Sequence, residues 1–227
     1  GDPLNVFEER LQTLKSKGFK AIVGLKPRRQ QDIIERMKIA ANAGVVAFTI
    51  DLDSAGRAAR ATKGQTVEPK TPEQLRELVK ASPLPLFFKG ILTTDEALLC
   101  LNAGAAGIVV SNHGGRVLAD EPGTAEVLPA IADAIHGRCM ILVDGCVKRG
   151  TDVEKYIALG ADACLAGRHF VRGAHGALAD GVELFANTIR NELAVAMTLT
   201  GAAKVKDINR KMIRMTTPPP LAFGVPA

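Results

Sequence analysis

The sequence predicts an α/β domain built on a parallel sheet, and three observations lead to this fold class. Short apolar runs alternate with amphipathic runs along the 227 residues, as in a chain of repeated strand–helix units. The short runs are continuously apolar, which is typical of strands covered on both faces. Polar residues follow the ends of several runs. Because strand ends converge on one site in a barrel but spread along an edge in an open sheet, this placement favours a barrel.

The predicted elements follow one another in a regular order. Strands are predicted at 21–25, 45–51, 86–90, 108–111, 141–144 and 163–167. Apolar residues at helical spacing predict helices at 6–16, 29–41, 72–80, 94–102, 125–135 and 153–159. Gly44 is a plausible stop for the second of these helices, and a longer helix runs from Asp180 to a stop at Gly201. Small-residue turns that begin at Ala43, Ala103 and Leu159 lead straight into strands, which indicates a repeated αβ unit.

Six strands are two fewer than a closed (β/α)8 barrel needs. We therefore expect a (β/α)8 TIM barrel that lacks its first two strands in this chain, with residues missing upstream. Residues 1–214 are assigned to the partial barrel domain and the Pro-rich segment 215–227 to an extended C-terminal tail.

Composition excludes some classes of function. The net charge is +5, but no run of Lys or Arg exceeds two residues, and the aromatic residues are one Tyr and eight Phe. A nucleic-acid reader usually shows a basic stripe or stacking aromatics, so no nucleic-acid partner is expected. Four cysteines lack metal-site spacing and are interpreted as small core residues of a reduced, cytoplasmic chain. No apolar run is long enough for a membrane span.

The stretch SNHGGR, from Ser111 to Arg116, is the first candidate site. His113 follows an apolar strand and could exchange a proton near neutral pH. Gly114 and Gly115 would let a planar ligand approach the backbone, and Arg116 offers a fork suited to a carboxylate. A tight turn with a surface arginine is the alternative interpretation, and the motif alone leaves both open.

Other strand ends carry further candidates. Lys89 ends an apolar strand, where it would bind an anion, form a Schiff base or pair with a strand-end aspartate. Thr49 and Asp51 lie two apart on one strand and share a face, so Asp51 could pair with His113. The last two strand ends of a barrel commonly bind phosphate. Candidates for that role are Asp144, Gly145, Lys148, Gly167 and Arg168.

The ordered segments KG, SNHGGR, DGCVKRG and GR resemble the FMN-dependent α-hydroxy acid dehydrogenase and oxidase family, which includes glycolate oxidase, lactate oxidase and the flavocytochrome lactate dehydrogenases. The resemblance implies a (β/α)8 barrel with FMN at its C-terminal mouth. It implies that His113 is the active-site base, that Asp51 supports it and that Arg116 grips the substrate carboxylate. The implied cofactor-binding set is Thr49, Lys89 near flavin N1, Ser111, His113 and Gly114, with Asp144, Gly145, Lys148, Gly167 and Arg168 around the ribityl chain and phosphate.

The sequence also departs from the family pattern. Ala58 stands where a second substrate arginine is usual, Lys26 replaces a tyrosine, Cys146 replaces a glycine, and Lys148 replaces an arginine. The expected reaction is the FMN-dependent oxidation of a small 2-hydroxy acid to a 2-oxo acid, with oxygen or another acceptor taking the electrons. Two alternatives stay open: a truncated barrel that binds FMN or phosphate ligands without turnover, and an FMN barrel such as type 2 isopentenyl-diphosphate isomerase. The resemblance alone suggests a homo-oligomer.

Overall fold

A computed structural model of the chain describes residues 3–56 and 66–216. The strands are β1 (Ala21–Leu25), β2 (Val45–Asp51), β3 (Leu86–Ile91), β4 (Gly107–Val110), β5 (Met140–Asp144) and β6 (Ala163–Leu165). The helices are α1 (Leu4–Ser16), α2 (Gln30–Ala41), α3 (Pro72–Ala81), α4 (Thr94–Asn102), α5 (Thr124–Ile135), α6 (Gly150–Leu159) and α7 (Arg168–Thr200). A 3-10 turn, Leu52–Gly56, follows β2 directly. Of the predicted tail, 215–227, only residues 215–216 are among the described residues. Ala58 lies outside them.

The six strands form one parallel sheet whose spatial order is the order of the sequence, from β1 to β6. A doubly wound sheet would instead reverse its order at a switch point. The sheet therefore curls in one direction as part of a barrel, and the predicted partial barrel is confirmed. β1 and β2 have the predicted limits, and the other four strands differ from theirs by one or two residues, because strand ends are set by pairing with neighbours as well as by local pattern.

The two faces of the sheet are buried differently. The outer face carries large side chains such as Phe48, Phe88 and Ile108, which are fully buried in the main core beneath the helices. The inner face carries a smaller cluster made of Ala47, Phe87, Val109, Leu142 and Leu165. Because alternate residues of a strand point to opposite faces, the inner positions lead directly to the polar residues at the strand ends.

Local capping signals explain where two helices begin. Thr71 and Thr93 each accept a hydrogen bond from the backbone N–H three residues later, while Gln74 and Glu96 return a contact to the cap backbone. Each pair satisfies two backbone donors that a helix start would otherwise leave without partners. The helices α3 and α4 thus begin at Pro72 and Thr94, as the sequence predicts.

The last helix begins earlier than its apolar spacing predicts. It starts at Arg168 and is broken at Ala177 and Leu178, where Leu178 has a φ of 50°. Gly173 and Gly181 touch across the break, since a Cβ on Gly181 would lie 2.0 Å from the Gly173 carbonyl oxygen. The prediction of a helix from Asp180 therefore captured only the second part, and the first part places its N-terminus at the barrel mouth. Among the described residues, no helix is both long and apolar enough to span a membrane.

Candidate active site at the barrel mouth

Charged residues of alternating sign surround the C-terminal ends of the strands. Lys26 follows β1, Asp51 ends β2, Lys89 lies in β3, Asp144 ends β5 and Arg168 begins α7 after β6. A cavity of about 200 Å³ lies among them. Its lining residues are Asp51, Lys89, His113, Gly114, Arg116, Asp144, Gly145, Cys146, Val147, Leu165, Ala166, Gly167, Arg168 and His169. The structure thus brings most of the predicted site residues to one place.

The loop after β4 holds His113 in an uncommon conformation. His113, Gly114 and Gly115 have φ values of 54°, 68° and 68°, in the left-handed region that glycine adopts without strain. Ser111 is fully buried, and its Oγ accepts a hydrogen bond from the His113 backbone N–H at 3.1 Å. The Asn112 side chain accepts the Gly114 N–H at 3.0 Å. These contacts turn the chain back on itself, so that the imidazole lies at the mouth.

His113 is paired with Asp53 rather than with Asp51. Its Nδ1 lies 2.9 Å from Asp53 Oδ2, and both side chains are about nine-tenths buried, at 10% and 9% exposed. A carboxylate can only accept, so Nδ1 carries the hydrogen in this contact. The prediction that Asp51 supports His113 is therefore wrong. Strand alternation identified Asp51 as the inward residue, but it could not show that the 3-10 turn after β2 returns Asp53 to the same histidine.

Asp51 has a different partner. Its Oδ2 accepts a hydrogen bond from Nζ of Lys26, the residue that follows β1. Lys26 Nζ also lies 3.5 Å from the hydroxyl of Ser54, which is fully buried in the 3-10 turn. The lysine that stands where the family has a tyrosine thus joins the end of β1 to Asp51 and to the turn that carries Asp53.

The surroundings of Asp53 favour its ionised form. Burial alone would raise the pKa of this carboxyl, because a low-dielectric site disfavours charge. The hydrogen bond and charge of His113 oppose burial and hold the pKa of Asp53 below its usual value. The positive charges of Lys89 and Lys26 act in the same direction. Asp53 therefore stays negative beside the imidazole.

Lys89 lies at the centre of the mouth. Its Nζ is 2.9 Å from Asp144 Oδ2 and donates a short hydrogen bond to Ser111 Oγ. The pairing with Asp144 is one of the alternatives that the sequence left open, and it satisfies a lysine that is only 15% exposed. Ser111 receives both Lys89 and the His113 backbone, so it couples the position of the cation to the position of the histidine.

The opposite end of the cavity suits an anion. Gly167 precedes α7, whose first backbone N–H groups face outward from the helix start, and Arg168 adds a guanidinium there. A Cβ on Gly114 would lie 3.0 Å from Arg168 Nη2, so the glycine leaves room for this side chain. Lys148 is exposed and does not line the cavity, and its backbone N–H donates to Asp152 Oδ2 at 2.9 Å.

A buried hydroxyl network supports the loop that follows β5. Thr124 Oγ1 donates to the Asp144 carbonyl at 2.7 Å, and Tyr156 OH donates to the Gly145 carbonyl at 2.8 Å. The two hydroxyls are 2.9 Å apart. Sequence reasoning missed both residues. Tyr156 is the one tyrosine in the chain, but only the fold shows that it reaches this loop from α6.

Arg116 and Cys146 take less buried positions. Arg116 Nε donates to the His113 carbonyl at 2.9 Å, and the exposed guanidinium still lines the cavity. Cys146 is exposed at the mouth with a φ of 52°, so its interpretation as a core residue is wrong. The left-handed backbone there explains why a glycine is usual at this position.

Thr49 is buried on the inner face of β2, below the cavity rather than in its wall.

Comparisons with known proteins agree with this geometry. The model of the family "FMN-dependent dehydrogenase" matches residues 5–215. The chain is 42% identical to an L-lactate oxidase of Lactobacillus jensenii over 154 residues, which are 68% of this chain and 37% of the relative. It is 48% identical to an L-lactate dehydrogenase of Yersinia pestis over 132 residues, 58% of this chain and 35% of the relative. The chain thus matches little more than a third of the length of these curated relatives.

A solved structure gives the same fold. The crystal structure of a mandelate oxidase with 3,3-difluoro-2-hydroxy-3-phenylpropionic acid matches with a TM-score of 0.80 and 33% sequence identity. The match covers 88% of this chain and 65% of that chain. The two chains therefore share the curled parallel sheet and its helices over nearly all of the present sequence.

The donors at the mouth fit FMN. The helix start at Gly167 and the Arg168 guanidinium provide N–H groups and positive charge for a phosphate, while Lys89 provides a cation deeper in the cavity. The cavity of about 200 Å³ is smaller than the roughly 300–1,000 Å³ of ligand pockets. Because the cavity is below this range, the described residues enclose only part of the space that FMN needs.

Proposed function

Because the chain belongs to the FMN-dependent dehydrogenase family, we propose that its site takes part in the oxidation of a small 2-hydroxy acid to a 2-oxo acid. The observation that carries the proposal is the His113–Asp53 pair, which lies at the barrel mouth beside the Arg116 guanidinium. A base and a carboxylate-binding fork at one cavity suit a substrate whose hydroxyl and carboxylate are on adjacent carbons. The relatives named for lactate and mandelate support the same substrate class.

The chemistry divides between the cofactor and the protein. Oxidation removes two electrons and two protons from the hydroxyl-bearing carbon and its oxygen, and bound FMN would accept both electrons and one of the protons. His113 accepts one proton from the substrate. Because Nδ1 donates to Asp53, the other ring nitrogen, Nε2, is the one that holds a lone pair for this proton. Asp53 then stabilises the imidazolium, as its negative charge lies 2.9 Å away.

The remaining residues bind and orient. Arg116 holds the substrate carboxylate, and its Nε contact with the His113 carbonyl keeps the fork close to the base. Arg168 and the start of α7 would hold the FMN phosphate. Lys89, whose Nζ is bound by Ser111, would supply positive charge to a flavin ring that gains negative charge on reduction. The roles of Thr49, Gly114, Asp144, Gly145, Lys148 and Gly167 in cofactor binding stay predictions.

Substitution of His113 tests the reaction. We expect His113→Gln to bind FMN almost as well as the unmodified chain but to reduce it about a hundredfold to ten-thousandfold more slowly, as for a lost acid–base group. The measurement is anaerobic stopped-flow reduction of the flavin with a panel of 2-hydroxy acids. His175→Gln, on the exposed face of α7, is the matched control and should reduce its flavin normally. Equal rates for His113→Gln and the unmodified protein would make the histidine structural and refute the proposal.

A second candidate is a barrel that binds the cofactor without turnover. The described strands leave β1 and β6 as sheet edges, so the mouth is open along one side, and this observation favours the second candidate. The same stopped-flow experiment separates the two candidates. Flavin bands in the absorption spectrum together with no reduction by any acid of the panel would support binding alone.

The proposal also includes the electron acceptor and the location of the protein in the cell. The electron acceptor is oxygen or another oxidant, in line with relatives that are named oxidase and dehydrogenase. We also propose a cytoplasmic location, supported by four cysteines that are all unpaired in the structure. Fractionation of cells that produce the native protein would test the location.

A further inference from the structure

Two buried hydroxyls determine how the backbone turns in the loop that follows β5. We propose that Tyr156, together with Thr124, is a positioning residue that makes two backbone N–H groups of this loop point into the mouth. These are the N–H groups of Gly145 and Cys146, and they join the Arg168 guanidinium as donors to the phosphate of FMN. The inference deepens the proposed function, because it rests on the binding of FMN at this cavity.

Two consecutive carbonyl groups at the end of β5 are turned toward the helices. The Thr124 hydroxyl, in the first turn of α5, donates to the Asp144 carbonyl at 2.7 Å. The Tyr156 hydroxyl, on α6, donates to the Gly145 carbonyl at 2.8 Å. The two hydroxyl oxygens are 2.9 Å apart, so they hold both peptide groups from the same side of the loop.

The direction of these carbonyls fixes the direction of the next N–H groups. In a planar trans peptide group the C=O bond and the following N–H bond point in opposite directions. The part of the chain that the structure describes has no cis peptide bond. The Gly145 N–H therefore points away from Thr124, and the Cys146 N–H points away from Tyr156.

The side of the loop that faces away from the hydroxyls is the mouth. Gly145 and Cys146 line both the mouth cavity and a second cavity of about 160 Å³, and Tyr156 lines the second cavity but not the mouth. The loop is thus a thin wall with the hydroxyls on one side and the mouth on the other. Cys146 Sγ lies 4.0 Å from Arg168 Nη2, so the guanidinium reaches the same wall.

The conformation of the loop and the state of the phenol suit this role. Gly145 and Cys146 have φ values of 118° and 52°, and successive N–H groups in a turn of this kind can form a concave site for an anion. A Cβ on Gly145 would lie 2.6 Å from Thr124 Oγ1, so the close approach of the hydroxyls requires glycine there. Burial raises the pKa of Tyr156, so the phenol keeps the hydrogen that it donates.

Removal of the phenol hydroxyl tests the positioning role. We expect Tyr156→Phe, which keeps the ring, to weaken FMN binding about tenfold, because donors to the phosphate lose their direction, and to leave the binding of riboflavin almost unchanged. Thr124→Val should act in the same way. Thr188→Val is the matched control, since it removes a hydroxyl that donates to the Leu184 carbonyl on an exposed part of α7. Fluorescence titration measures both affinities. Equal losses for the two flavins, or no loss for either, would overturn the inference.

A second measurement needs neither flavin nor turnover. In ¹H–¹⁵N correlation spectra, titration with inorganic phosphate should shift the amide signals of Gly145 and Cys146 in the unmodified chain, and the shifts should be smaller in Tyr156→Phe. Amide signals that do not respond to phosphate, or that respond equally in the two proteins, would overturn the inference. A protein that shows the expected differences in binding but whose FMN no 2-hydroxy acid reduces would refute the proposed function and leave the positioning role standing.

Discussion

At the scale of single residues, the mouth of the barrel combines fixed charges with positions that only small residues can take. Arg168 illustrates this combination. Its guanidinium extends toward Gly114, and it begins a helix whose N-terminal N–H groups also attract anions. If the site binds FMN as proposed, both features would act on its phosphate, so we expect the loss of Arg168 to weaken phosphate binding.

Removing Arg168 should therefore affect FMN more than riboflavin, which lacks the phosphate. We expect Arg168→Ala to weaken FMN binding by about 1.5–3 kcal/mol, as for a lost charge-assisted contact, and to leave riboflavin binding almost unchanged. Arg172→Ala, one turn later on an exposed part of α7, is the control. Fluorescence titration with both flavins measures the effect. Equal losses for the two ligands would show that Arg168 does not contact the phosphate.

At the scale of elements, α6 and α7 approach each other so closely that one position must be glycine. A Cβ on Gly150 would lie 2.0 Å from the Leu193 nitrogen and 2.6 Å from the Ile189 carbonyl oxygen. These atoms belong to the backbone of α7, which cannot move aside as a side chain could. The Gly150 N–H also donates to Glu192 at 2.8 Å, so the contact fixes the start of α6 and the loop before it.

The packing of α6 on α7 predicts opposite effects for two alanine substitutions. Gly150→Ala should destabilise the fold by about 1–3 kcal/mol or more, because the helices must separate. Gly176→Ala meets no atom within 4 Å, so it should be neutral or stabilise by up to about 1 kcal/mol through the helix preference of alanine. Urea unfolding followed by circular dichroism measures both. A Gly150→Ala protein as stable as Gly176→Ala would contradict the close approach.

At the scale of the whole molecule, a curled sheet gathers side chains from distant parts of the sequence but stays open at its edges. The inner face of β1 shows the opening, since Ile22 is 46% exposed there. Asp53 at the mouth is nevertheless about nine-tenths buried. Its titration should therefore contribute to the stability of the entire domain.

The lowered pKa of Asp53 determines how its contribution to the free energy of unfolding changes with pH. Its pKa is lowered in the folded state, so Asp53 stabilises the fold above its unfolded pKa of about 3.9, and the contribution disappears as pH falls through the lower folded value. The unfolding free energies of the unmodified protein and Asp53→Asn should thus differ at about pH 6 and converge toward pH 3. Other carboxyls titrate in both proteins and largely cancel in the difference. A difference that stays constant or widens as pH falls would contradict the lowered pKa.

Much of the fold could be predicted because local pattern and burial agree. Each strand is a short apolar run, and its order in the sheet is its order in the sequence. The first part of α7 was the exception, since glycines at 173 and 176 weaken the helical pattern there. Of the two, Gly173 has a structural role that only the fold shows, since it meets Gly181 across the break.

The sequence by itself determined the parallel α/β architecture and the convergence of Lys89, His113 and Arg168 at one mouth, because strand alternation and parallel order place the ends of successive strands together. Only the tertiary structure decided which carboxylate serves His113. That choice depends on three contacts between distant segments: Lys26 with Asp51, Gly90 with Asp53, and Asp53 with His113. Periodicity assigns a residue to a face, but the partner of a charged group is set by the space and the opposite charges that other strands bring to it.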